Sequence, residues 1–229
     1  MWRELRDELK DRGFEVVTVA LETRGWEEAR RWIDAAQPEH PSLLDATHLL
    51  GELYGIVNVP TGVWIDDQGL LVRPPEPAFP GRPAFLDQPL PDTVNPRLRG
   101  VLTEARKLNM EGDRYAAALR DWVAQGADSP YALGPEEVAR RLGERSPEAC
   151  RAAAHFELAQ NLEGEAAVVH FKEAHRLQPR NWAYKRQAWS LVDRTQAPNA
   201  IYPTGWLEEV RALGAEFYYP PLEFEPEQR

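Results

Sequence analysis

A chain of 229 residues, 43% apolar and 28% charged, can form one large domain or two small ones around a core that needs no disulfide. Its 27 basic against 37 acidic residues give a formal charge of −10 with no basic stripe, which argues against nucleic-acid binding. No apolar run reaches the ~18 residues of a membrane span and no apolar signal core follows Met1, so a soluble, cytoplasmic chain is expected, while the single cysteine, Cys150, excludes an internal disulfide and any multi-cysteine metal centre.

Trp2, Leu5 and Leu9 fall on one face of a helix over residues 2–12, with Gly13 as its C-terminal stop. Phe14 to Leu21 is β-branched and mostly apolar, the pattern of a strand covered on both faces in a parallel sheet. Trp26, Ala29, Trp32, Ile33 and Ala36 mark a second helix, stopped before Pro38. Pro41 to Leu44 reads as a very short strand. Asp45 then serves as N-cap for a helix carrying Ala46, Leu49, Leu50 and Leu53 and ending at Gly55. Thr61 to Ile65 and Leu70 to Arg73 form a hairpin across Asp66-Asp67-Gln68-Gly69, where the glycine suits a positive φ. The prolines at 74, 75, 77, 80, 83, 89, 91 and 96 predict an ordered linker, since proline cannot donate to a sheet ladder.

Beyond the linker the period becomes helical. Ala118, Trp122 and Pro130 share their spacing with Ala167, Phe171 and Pro179, and Ala174 adds a further small residue. This resembles the second helix of a tetratricopeptide repeat, where alanine permits close helix crossing. The copies lie 49 residues apart instead of about 34, and an insertion over 131–146 with a short helix from Pro135 to Leu142 accounts for the difference.

From about Trp2 to Arg73 the order helix, strand, helix, short strand, helix, Val-Pro-Thr and hairpin resembles a thioredoxin-like domain of the TlpA/ResA type of thiol–disulfide oxidoreductase and redoxin. The match is sharpest in Ser42-Leu43-Leu44-Asp45, in Leu53-Tyr54-Gly55-Ile56-Val57-Asn58-Val59-Pro60-Thr61 and in Trp64-Ile65-Asp66-Asp67-Gln68-Gly69. By that resemblance Pro60 follows a cis peptide bond, and the backbone at Val59, with Pro60, is where a peptide or thiol partner is touched. Family members also carry a central strand and a Cys-x-x-Cys motif at the start of the long helix, and these residues contain neither. The dithiol mechanism is therefore closed to them. Two readings stay open: a late-starting version of a longer redoxin, or a fold kept for binding after its chemistry was lost.

Other candidates are few. Cys150 stands at a predicted helix start, where a thiol is easier to ionise, but no second cysteine can resolve an oxidised thiol. His155, His170 and His175 lack the spacing of a metal motif and read as structural or surface residues. Asp45 and His48 are close in sequence, yet the aspartate is accounted for as a cap. Trp182, Lys185 and Arg186 combine aromatic and cationic groups at helical spacing, either as core or as a partner groove.

The expected fold class is α/β then all-α: an incomplete thioredoxin-like sheet over 1–80, a proline-rich linker over 81–97, and a tetratricopeptide-like helical domain over 98–229. The expected function is non-catalytic protein or peptide binding, with no cofactor and no metal; the alternative is a thiol–disulfide oxidoreductase or peroxidase-like redoxin whose cysteine-bearing segment is absent from this chain. By the resemblance the missing strand lies between Phe14–Leu21 and Thr61–Ile65. Unpaired buried backbone groups there would cost ~1–3 kcal/mol each, so either those strands close on each other or a second copy lends a strand, and a homodimer is the favoured expectation.

Overall fold

Four short strands and ten α-helices follow one another among the residues that the computed structural model describes, 1–91 and 93–224. In chain order they are α1 (Trp2–Leu9), β1 (Thr18–Leu21), α2 (Trp26–Ala36), β2 (Ser42–Asp45), α3 (Leu49–Tyr54), β3 (Thr61–Ile65), β4 (Leu71–Pro77), α4 (Pro96–Ala105), α5 (Gly112–Gln125), α6 (Pro135–Leu142), α7 (Pro147–Gln160), α8 (Gly164–Leu177), α9 (Trp182–Val192) and α10 (Trp206–Leu213). The class is mixed α and β with helix predominating, and the strands form two separate two-stranded sheets, β1 with β2 in parallel and β3 with β4 antiparallel.

The contacts divide the chain differently from a split at 80 and 98. One compact unit draws on residues 1–14, 60–134 and the chain from Ala197; the other on 15–59 and 135–196. Each unit takes segments from both halves of the sequence. The two tetratricopeptide-like segments, now α5 and α8, belong to different units. Their small residues are nonetheless packing positions, for Ala118, Ala167 and Ala174 are buried.

In the first unit, α1 buries Leu5 and Leu9 with Trp64 of β3 and Tyr115, Ala116, Ala118 and Leu119 of α5, and Leu222 and Phe224 close the cluster. The hairpin turn is held by Asp66, whose Oδ1 accepts from the N–H groups of Gln68 (2.9 Å) and Leu70 (2.8 Å), with Gly69 at φ 80°. β4 runs on through Pro74, Pro75 and Pro77, so the first three of these prolines lie in a strand and not in a linker. β4 pairs only with β3, and an edge strand tolerates proline because its outer side needs no N–H donor. Arg73 of β4 is 1% exposed and fully engaged. Its guanidinium donates to both oxygens of Glu76 (2.8 and 3.0 Å) and to the carbonyls of Tyr131 and Glu223 (2.9 Å each), and it lies over the Phe224 ring at 4.6 Å. Trp64 Nε1 donates to Tyr115 Oη at 2.9 Å. Gly112 is required by close approach, since a Cβ there would stand 2.6 Å from the Cα of Gly81.

In the second unit, β1 covers only Thr18–Leu21 of the predicted Phe14–Leu21 strand, and its residues are half-buried where burial on both faces was expected. A strand with one neighbour keeps an open edge. α2 and α6 have the predicted bounds. α7 starts under a cap in which Ser146 Oγ accepts the Ala149 N–H, with Pro147 in the first turn, where its missing N–H costs nothing. α7 and α8 form a helical hairpin in which Phe156 meets Phe171 edge-on at 5.6 Å, and Tyr184 of α9 stacks on Phe156 at 4.0 Å.

Candidate functional site

The β1 edge is fixed by its ladder. In a parallel pair every second residue of a strand bonds to the neighbour. The Thr18 N–H donates to the Pro41 carbonyl (3.0 Å) and Thr18 is in register with Ser42, so Thr18 and Ala20 face β2 while the N–H and C=O groups of Val19 and Leu21 face the other way. Among the described residues nothing meets those outward groups. β1 does not pair with β3, so the chain does not close on itself across the gap that the sequence resemblance predicted. Unit two also exposes large apolar side chains: Val17 beside β1, Leu43 on β2, Leu49 and Leu53 one turn apart on α3, and Trp26 and Trp32 on α2.

β1 continues into Glu22, whose Oε1 accepts the Arg24 N–H (2.9 Å) and Gln187 Nε2 (3.1 Å), while the Arg24 guanidinium donates to the Ser190 carbonyl. The helix α3 starts on Asp45. Its two carboxylate oxygens accept the N–H groups of Leu49 (2.9 Å) and Leu50 (2.8 Å), so the predicted cap acts from the last residue of β2 and not from the residue before the helix. That position belongs to His48, held in the left-handed region at φ 61°, which costs a non-glycine residue about 1 kcal/mol or more. The twist drives the imidazole inward to 2% exposure, edge-on to Phe156 at 4.9 Å and tilted to Tyr184 at 6.2 Å. Neither ring nitrogen has a partner among the described residues. Burial pushes the His48 pKa down to about 4, opposed by the carboxylates of Asp45 and Glu22, so the ring is neutral near pH 7. With both Asp45 oxygens taken by backbone, an Asp45–His48 catalytic dyad is not formed.

Val59 is half-buried, with its N–H donated to Asn58 Oδ1 at 2.9 Å, and Pro60 is exposed, its carbonyl accepting the Ala78 N–H at 3.3 Å. The division between the units falls between these two residues. Cys150 is exposed in the first helical turns of α7. Trp182 and Lys185 are brought together, the Lys185 Nζ lying 5.1 Å from the Trp182 ring, but both are buried and Arg186 is half-buried, so the segment is core and not a groove. Sequence reasoning missed the meeting of His155 and His170, whose Nδ1 atoms stand 2.7 Å apart across the α7–α8 hairpin. The only signal would have been pairing the two helices first. Among the described residues no group of three or more His, Cys, Asp or Glu is placed to hold a metal ion, and no helix is long and apolar enough to cross a membrane. An open hollow of about 520 Å³ is lined by Ile33, Asp34, Gln37, Pro38, His40 and Ser42. Comparison with models of known protein families, with curated proteins and with solved structures found no match.

The single Cys150 has no second cysteine in this chain with which to run a dithiol exchange, and Asp45 and His48 are not joined as base and orienting group. An open strand edge can bind an extended chain through main-chain hydrogen bonds.

Proposed function

We propose that this is a non-catalytic, thioredoxin-like binding protein with tetratricopeptide-like helices, which takes an extended peptide or protein segment along the open edge of β1. The observation that carries the reading is the unmet N–H and C=O of Val19 and Leu21 on a half-buried strand. Each such group gains a hydrogen bond worth about 0.5–1.5 kcal/mol when a strand is added. The exposed Val17, immediately before β1, offers an apolar contact to the ligand. Val59 and Pro60 are the partner contact that the family resemblance implies.

Val19→Pro is the discriminating variant. It deletes an outward N–H while the ladder donors Thr18 and Ala20 keep theirs, and the residue before proline favours the extended form it already has. The expected outcome is that short extended apolar peptides on an array bind the full chain and bind Val19→Pro up to about tenfold more weakly, since the one hydrogen bond lost is worth about 0.5–1.5 kcal/mol. Equal binding by the two proteins, or none by either, would refute the reading. Sedimentation velocity separates a peptide ligand from a second copy of the chain on the same edge.

A further inference from the structure

The short helix α3 is anchored in the second unit chiefly through one imidazole. Of its six residues only Gly51 is buried, and Leu49 and Leu53 are exposed. Gly51 sits against β1, since a Cβ there would stand 3.8 Å from Leu21 Cδ1. Asp45 caps the first N–H groups, and Glu52 Oε1 pairs with Arg145 Nη1 at 2.7 Å in the segment before α7. The side chain that reaches the core is that of His48, immediately before the helix, whose carbonyl accepts the Glu52 N–H at 2.9 Å and whose buried ring lies against Phe156 of α7 and Tyr184 of α9. Three features raise the energy of this anchor: the left-handed backbone at φ 61°, and two ring nitrogens, neither with a partner among the described residues. Turning the ring out into water relieves all three.

We infer that His48 is an acid-released latch: protonation drives the imidazole out of its aromatic contacts and frees α3 while α7, α8 and α9 stay packed. A buried imidazolium is costly where nothing accepts its protons. β2 presents Asp45, whose two oxygens are taken by the Leu49 and Leu50 N–H groups, and β1 leads into Glu22, whose Oε1 accepts from Arg24 and Gln187. α7 presents the apolar Phe156. α9 presents Tyr184, neutral because burial raises its pKa to about 12, and the Glu52 of α3 itself is held by Arg145. The carboxylates of Asp45 and Glu22 favour the charged ring, but burial outweighs them and holds its pKa at about 4, against 6.5 once the ring is in water. Those two values make the released form about 30-fold more populated, relative to the latched form, at pH 5 than at pH 7.5. Release uncovers the Leu21 side chain, at the end of the edge to which peptide binding is assigned, so acid acts on that edge as well. This consequence rests on the binding reading, whereas the release itself does not.

Native-state amide hydrogen exchange of the full chain in low concentrations of urea tests the latch, because exchange through a local opening is insensitive to urea and exchange through global unfolding is not. After correction for intrinsic rates, Leu50 and Glu52, whose N–H groups are bonded to Asp45 and His48, should lose about 30-fold in protection between pH 7.5 and 5 with no dependence on urea. Amides inside α7 and α8, such as those of Phe156 and Phe171, should keep a higher protection that falls as urea is added. His48→Asn does not titrate and accepts the left-handed backbone, so its protection at Leu50 and Glu52 should be the same at the two pH values. Loss of that protection at both pH values in the variant would equally identify the imidazole as what holds the helix. An acid response that survives in His48→Asn would overturn the latch. So would wild-type protection that is constant with pH, or a urea dependence at Leu50 and Glu52 equal to that at Phe156 and Phe171.

Discussion

Acidification should destabilise the second unit through His48. Burial holds the folded-state pKa at about 4 against 6.5 for an exposed histidine. The unfolded chain therefore takes up a proton first as pH falls, and stability rises with pH wherever the unfolded state binds more protons. The contribution is fully present above about pH 6.5 and is lost as pH falls toward 4, approaching roughly 3.4 kcal/mol for the whole shift of 2.5 units at 1.36 kcal/mol each. Between pH 7.5 and 5 the same arithmetic gives about 2 kcal/mol. His175 is likewise lowered to about 4, by burial and then by Lys185, and adds in the same direction. The assay is urea unfolding of the wild-type chain and His48→Asn at the two pH values; asparagine does not titrate and accepts the left-handed backbone at φ 61°. The wild type should lose about 2 kcal/mol more than His48→Asn between pH 7.5 and 5. An equal loss in both proteins would refute the assignment of the acid sensitivity to this imidazole.

Three further outcomes follow from the packing and the thiol. Arg73→Met leaves the buried Glu76 carboxylate and two carbonyls without their donor and should cost about 3–5 kcal/mol in urea unfolding; Arg73→Lys should not restore it, because an ammonium cannot serve Glu76 in two-pronged fashion while reaching Tyr131 and Glu223. Gly112→Ala should cost about 1–3 kcal/mol, since its Cβ would meet the Gly81 backbone at 2.6 Å and backbone must move, and an unchanged melting midpoint would contradict that close approach. Cys150→Ser should leave stability within about 0.5 kcal/mol because the side chain is exposed, and neither protein should reduce insulin; turnover that survives the substitution would contradict the mechanistic argument.

What was legible in the sequence was local. Trp2, Leu5 and Leu9 at helical spacing, the glycine in the hairpin turn at Gly69, and the short helix Pro135–Leu142 each follow from periodicity, caps or a positive φ within a few residues. What was not legible depended on which segments meet. The prolines of β4 read as a linker because the sequence does not say that β4 is an edge strand. Asp45 read correctly as a cap, but the left-handed turn at His48 that buries the imidazole comes from packing on Phe156 and Tyr184, residues more than 100 positions away. His155 and His170 looked like unrelated surface residues until α7 and α8 were aligned by their phenylalanines. The open edge of β1 was legible only as a question, since the sequence implied a strand without saying whether the chain would close the gap.

Residue-resolved amide hydrogen exchange of the free chain bears most directly on the binding role assigned to β1. Thr18 and Ala20, whose N–H groups face β2, should exchange slowly, while Val19 and Leu21 should exchange far faster and become protected when a bound peptide adds its strand. Protection of Val19 and Leu21 in the free protein equal to that of Thr18 and Ala20 would mean that the edge is already paired, and would contradict the account.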